Sequence, residues 1–240
     1  MDAEIARLIG LLDDDSTAVA EDAKAALISI GPEVVQPLAA AVPSLERFGQ
    51  LSAIEAFEHL GGVAAGPVLI DLLSSEHDTV REWSALAIEQ LGVRGAVPAL
   101  QAAYRRLRLG DGRLDDGEAV ALRRVLTQLG ARQEVMPPLT ASLRVSDRAL
   151  DRLWPVGPLT DLVNDLADHG QAVLYFMLFS VTDRGTFWQG HESLGQELDR
   201  RAPWSEFVEA ARENALLEAA FVPAQPHLFV DLEWIDESDR

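Results

Sequence analysis

Apolar residues recur at three- and four-residue spacing through the first half of the chain: Ile5, Leu8, Ile9, Leu11 and Leu12, then Val19, Ala23, Ala26, Leu27 and Ile30 beyond an acidic turn at Asp13-Asp14-Asp15-Ser16. That period buries one face of a helix, so the segment predicts two helices joined by a turn, with the turn supplying an N-cap to the second. The second helix ends at Gly31, and the same ending returns at Gly61, Gly92 and Gly130, each behind an apolar helical stretch. Prolines follow the first three glycines, at Pro37, Pro67 and Pro98. A glycine that stops one helix and a proline that starts the next delimit a helical hairpin.

The glycines are spaced by 30, 31 and 38 residues. An offset of 61 residues, two units, aligns Leu11-Leu12 with Leu72-Leu73, Val19 with Val80, Glu21 with Glu82, Ala26 with Ala87 and Pro37 with Pro98. Hairpins of this length cannot bury their apolar faces alone, so successive units must stack. The plan runs through about 34–61, 64–92 and 96–130, and 135–143 is expected as a further helix closing the stack. The fourth unit is lengthened by an insertion over Leu109 to Gly117, and insertions of this kind map to exposed loops.

These units, each an aliphatic helix, an acidic turn and a helix ending in the style of Ala87-Ile88-Glu89-Gln90-Leu91-Gly92, resemble the HEAT repeats of the bacterial subgroup that includes the phycobilin lyases. The resemblance covers residues 3 to 143. It implies a right-handed α–α superhelix that serves as a protein-binding scaffold, and it leaves open an enzyme or enzyme subunit acting on a tetrapyrrole or a tethered peptide.

Beyond Arg144 the period is lost, and a domain boundary is placed there, 1–144 against 145–240. Trp154 to Pro158 reads as a linker or turn, Leu159 to His169 as an amphipathic helix, and Ala172 to Val181 as a continuous apolar run that suits a buried strand or a core helix. Gly185 and Gly190 read as turn residues around Phe187-Trp188. Helices are expected over Glu192 to Arg201 and Ser205 to Ala220, and strands at Phe221-Val222 and Leu228 to Ile235. The expected fold class is therefore mainly α, a superhelix followed by a small α or α+β module.

Charge changes the picture of what this surface meets. The formal net charge is -19, with 16 acids and 5 bases in residues 1–100, 5 and 8 in 101–144, and 18 and 7 in 145–240. Such a field repels nucleic-acid phosphates and anionic membranes and favours a basic protein. No apolar run approaches a membrane span, and the acidic start Met1-Asp2-Ala3-Glu4 is unlike a secretion signal, so a cytoplasmic protein is expected. With no cysteine, disulfides and thiolate chemistry are excluded.

Candidate chemistry is sparse. The histidines are scattered: His59 in a solvent-facing helical slot, His77 in a turn, His191 beside Glu192. No catalytic residue, cofactor or metal site is assigned, although a cleft built from Trp188, His191 and Glu192 would favour the enzyme reading. The binding candidates are Arg81 and Trp83, with Tyr104, Arg105, Arg106 and Arg108 ahead of the insertion. Trp83 occupies a slot held by Asp22, Ser52 and Ala121 in the other units, and an aromatic beside an arginine has the composition of a binding hot spot. The expected function is that of a non-enzymatic scaffold or adaptor for another protein, in its sharper form an acidic, immunity-type inhibitor of a basic partner.

Overall fold

Each expected hairpin forms. The computed structural model describes residues 3–61, 63–109, 116–132, 136–145, 153–192 and 198–239, and the chain divides into two units, Met1–Gln133 and Glu134–Arg240. In the first unit α1 (Ala3–Gly10) pairs with α2 (Thr17–Ile30), α3 (Val35–Ala41) with α4 (Arg47–Leu60), α5 (Gly66–Leu72) with α6 (Asp78–Gln90), and α7 (Val97–Leu109) with α8 (Gly117–Gln128). The second helix of each pair packs on that of the next, in the order α2, α4, α6, α8. Their shared core is Leu27, Ala53, Ile54, Phe57, Ala87, Ile88, Leu122 and Val125.

The repeated glycines have one cause. Gly31, Gly61, Gly92 and Gly130 all have positive φ, between 65° and 107°, which an L side chain tolerates poorly and glycine does not resist. At the last two the following amide reaches back five residues, Val93 N to Ile88 O at 3.0 Å and Ala131 N to Leu126 O at 2.8 Å, satisfying a carbonyl the helix end would leave open.

Polar ties run from each hairpin to the next. Asp13 accepts hydrogen bonds from the backbone N–H of Glu46 at 2.8 Å and of Gly49 at 2.7 Å, so this acidic turn caps α4. Ser16, at the N-cap position of α2, makes no side-chain cap bond, which corrects the expectation that the turn caps its own helix. A Cβ at Gly49 would fall inside the Asp13 carboxylate. Further along, Lys24 pairs with Glu55 across α2 and α4, while inside the third hairpin the Ser84 hydroxyl of α6 donates to Leu69 O of α5 at 2.6 Å. One slot recurs: Gln50 Nε2 donates to Leu45 O at 3.0 Å, and its counterpart Arg81 donates through Nη1 to Glu76 O at 3.2 Å.

The second unit holds α9 (Pro138–Leu143), β1 (Leu153–Pro155), α10 (Leu159–Asp168), β2 (Ala172–Thr182), β3 (Gly185–Glu192), α11 (Trp204–Ala219) and β4 (Leu228–Ile235). The strands form one antiparallel sheet in the order β1-β4-β2-β3. Phe176, Leu178, Val230, Leu232 and Trp234 share a core with Leu162, Val163 and Leu166 of α10 and Ala215 of α11. The module is thus α+β.

Several local expectations give way here. The helix expected to close the stack forms over 138–143 and belongs to the second unit, where it packs against α10 and the Thr140 N–H and hydroxyl each donate to Asp165 at 2.8 Å. Trp154 and Pro155 are a strand, not a linker: the indole, 1% exposed, meets Trp234 edge-on with centroids 5.7 Å apart and donates to Thr140 O at 2.8 Å. The Gly185–Glu192 segment is a strand rather than a turn. Of the helix expected over Glu192 to Arg201, Glu192 ends β3, residues 193–197 lie outside the described ones, and residues 198–203 are irregular with a turn. Phe221-Val222 forms a turn after α11 rather than a strand. Among the described residues no single helix is long and apolar enough to cross a membrane.

Candidate functional site

The first turns of α6 and α8 and the last turns of α7 surround a polar cleft of about 440 Å³, within the usual range for a binding pocket, lined by Asp78, Thr79, Arg81, Glu82, Arg106, Leu107, Asp116, Gly117 and Glu118. Local sequence explains why acids gather here. Helix N-termini favour carboxylates, and Asp78 and Glu118 sit in the first turns of α6 and α8, with Asp116 at the N-cap of α8.

Arg81 holds the cleft wall together. Its Nε and Nη2 donate to the two carboxylate oxygens of Glu118 at 2.8 and 2.6 Å, a bidentate pair joining α6 to α8. Nη1 donates to Ser75 O at 2.9 Å and Glu76 O at 3.2 Å, which fixes the turn before α6. The hydrogen bonds that Arg81 donates to Glu118 raise the guanidinium pKa and keep it charged. Arg81, a candidate binding residue, is thus partly buried and tied to Glu118 and to the turn before α6 while it lines the cleft.

Glu82 is the contrast. Half-buried, its carboxylate lies over Gly117, where a Cβ would meet Oε2 at 2.5 Å. Among the described residues it has no hydrogen bond or ion pair. Burial, and then the charges of Asp78 and Glu118, raise its pKa above the usual carboxylate value.

The other expected binding residues divide. Trp83, next to Glu82, is 42% exposed. Arg106 is exposed and donates through Nη2 to Leu73 O at 2.8 Å. Arg105 is exposed on α7. Tyr104 is buried, 7% exposed, with the Arg108 guanidinium 6.0 Å from its ring centre, so its ring belongs to the interior rather than to a binding surface. The acids of the insertion, 110–115, lie outside the described residues. Of the trio Trp188, His191 and Glu192, Trp188 is 56% exposed on an edge strand, and the other two side chains lie outside the described ones.

Sequence reasoning missed Arg47 and Phe48. Phe48 is 71% exposed at the start of α4, beneath the Arg47 guanidinium 5.6 Å from its ring centre. Arg47 Nε donates to Thr79 Oγ1 at 3.2 Å, and Thr79 lines the cleft one helical turn before Trp83. Phe48 was findable by the column logic that found Trp83, because Ala18, Thr79 and Gly117 fill its slot elsewhere. Carboxylates outnumber guanidiniums in the lining of the cleft, and the exposed Trp83 and Phe48 lie on the two helices α6 and α4. That arrangement suits a cation. Among the described residues no group of three or more His, Asp or Glu is placed to hold a metal ion. No family model matches the chain, and no curated protein matches it.

Proposed function

We propose that the chain is a non-enzymatic scaffold, a right-handed α–α superhelix of HEAT-like repeats with an α+β module, that binds a basic protein in the cytoplasm. The observation that carries this reading is Glu82, a half-buried carboxylate that has no hydrogen bond or ion pair among the described residues and lines a polar cleft, next in sequence to the exposed Trp83. A partner's arginine or lysine entering the cleft meets the Glu82 and Asp78 carboxylates, and Trp83 offers a ring face to the same cation. The acidic field of the chain speeds the encounter, and the cleft sets the register. In its sharper form the partner is an enzyme whose basic active site the acidic surface covers.

The test is fluorescence anisotropy of a labelled oligo-arginine peptide titrated with the full chain, against an oligo-glutamate control. Binding of the arginine peptide alone, weakening steeply with salt, is expected. Glu82→Gln and Trp83→Ala should each cost about 1–2 kcal/mol of binding. Asp168→Asn, on an exposed helix position of the other unit, should change nothing. Equal losses at Asp168 and Glu82 would reduce the cleft to diffuse charge, and no binding at low salt would end the proposal.

A further inference from the structure

Two glycines of the helical unit lie under carboxylates. A Cβ at Gly49 would meet the Asp13 carboxylate between 2.3 and 2.8 Å, and one at Gly117 would meet that of Glu82 between 2.5 and 2.8 Å. Neither has the positive φ that would call for glycine on its own account. At Gly49 capping explains the contact, because Asp13 accepts the N–H groups of Glu46 and Gly49. Glu82 accepts no hydrogen bond from the start of α8 or from any other described residue, and the arginines of the cleft are turned elsewhere, Arg81 to Glu118 and Arg106 to Leu73 O. Gly117 thus makes room for a carboxylate that the described fold does not use.

The distances also orient that carboxylate. A Cβ at Gly117 would lie 2.5 Å from Oε2, 2.7 Å from Cδ and 2.8 Å from Oε1. An atom at the rim of a carboxylate is nearer to an oxygen than to the carbon by a wide margin, so near-equal distances to all three atoms put Gly117 against the flat face. Hydrogen-bond donors approach such oxygens close to their plane. The face is therefore occupied by Gly117, and the rim, with both oxygens, is left to the cleft that Glu82 lines.

A planar fork fits such a rim. A guanidinium sets two parallel N–H groups on the two oxygens of a carboxylate, whereas an ammonium is a point charge that any orientation satisfies. We infer that the cleft selects arginine over lysine, and that Gly117 is the specificity-determining residue, holding the Glu82 carboxylate by its face with the rim open. This inference rests on the reading of the cleft as the site for a basic partner's cation, and it names the cation. Asp78, one helical turn before Glu82, and Glu118 add negative charge that arginine and lysine feel alike, so the preference comes from the geometry at Gly117.

Fluorescence anisotropy of labelled oligo-arginine and oligo-lysine peptides of equal length, titrated with the full chain, tests it. The wild-type chain should bind the arginine peptide about tenfold more tightly. Gly117→Ala displaces the carboxylate, since the end of a flexible side chain yields before backbone does, and should bring the ratio down to that of Glu82→Gln. Glu82→Asp keeps the charge but withdraws the carboxylate by one methylene, and should lower the ratio in the same way. Circular dichroism melting identifies any variant that has lost its fold. A nuclear magnetic resonance titration of the Glu82 side chain needs no peptide: the group titrates above the usual carboxylate range in the wild-type chain and should fall towards it in Gly117→Ala. Equal binding of the two peptides, each weakened by Glu82→Gln, overturns the inference and leaves the basic-partner reading standing. So does a folded Gly117→Ala that keeps the arginine preference or the wild-type titration. If neither peptide binds, both fall.

Discussion

The two units solve the same problem of cohesion with different means. In the helical unit the joints between neighbours carry repeated polar ties, Asp13 to the start of α4, Lys24 to Glu55, Arg47 to Thr79 and Arg81 to Glu118. The α+β unit gathers its large side chains at one place, with Trp154 against Trp234 and Phe176 beneath them. Distributed ties divide stability among nearest neighbours, whereas a concentrated aromatic core makes the whole unit depend on single residues. The unit with distributed cohesion can spare a carboxylate such as Glu82 for other work.

The sharpest way to break this contrast is Trp154→Ala. Removing a buried indole that also donates to Thr140 O should cost about 3–5 kcal/mol and unfold the α+β unit cooperatively. Thermal unfolding followed by near-ultraviolet and helical signals should show the first unit melting separately. A single unchanged transition would contradict the concentrated core. Next in size is Arg81→Ala, which strands the Glu118 carboxylate, itself 8% exposed in its side chain. About 2–3 kcal/mol is expected, below the cost for a fully buried pair because Arg81 is partly in water. Hydrogen exchange should rise in α6 and α8 while α2 keeps its protection. Loss spread evenly over all four hairpins would refute nearest-neighbour cohesion.

The smallest effect has the opposite sign. Because the folded state raises the Glu82 pKa, ionising this group opposes folding; the penalty is absent below the unfolded value of about 4.3, grows as pH rises, and is complete above the folded value. Glu82→Gln should therefore raise the melting temperature at pH 7 and lose that advantage in acid. A destabilised variant at pH 7 would mean that the carboxylate has a stabilising partner in the fold.

Regular spacing made the helical unit legible. Gly31, Gly61, Gly92 and Gly130 mark helix ends because backbone conformation at a cap is a local property, written in a few adjacent residues. The sheet was less so. Ala172 to Val181 fits strand or helix equally by composition, and what decides it is pairing with Leu228 to Ile235. Trp154-Pro155 looks like a linker because its strand identity comes from Phe229 and Val230, far along the chain. The site was legible in the same uneven way. Trp83 stands out against its column of equivalents, as Phe48 does on the same comparison. By contrast, the commitment of Arg81 to Glu118, and the lack of a partner for Glu82 among the described residues, are facts of the joint between α6 and α8, and arginine and glutamate on a helix otherwise read as solvated residues.

The slot shared by Gln50 and Arg81 bears on how such a chain diverges. Both side chains hold the carbonyl five residues behind them, one as a neutral amide and one as a cation. Exchange between them alters the electrostatic character of a joint while leaving its backbone tie in place. A lineage of duplicated hairpins can thus drift in surface potential, and so in the company it keeps, without renegotiating its architecture.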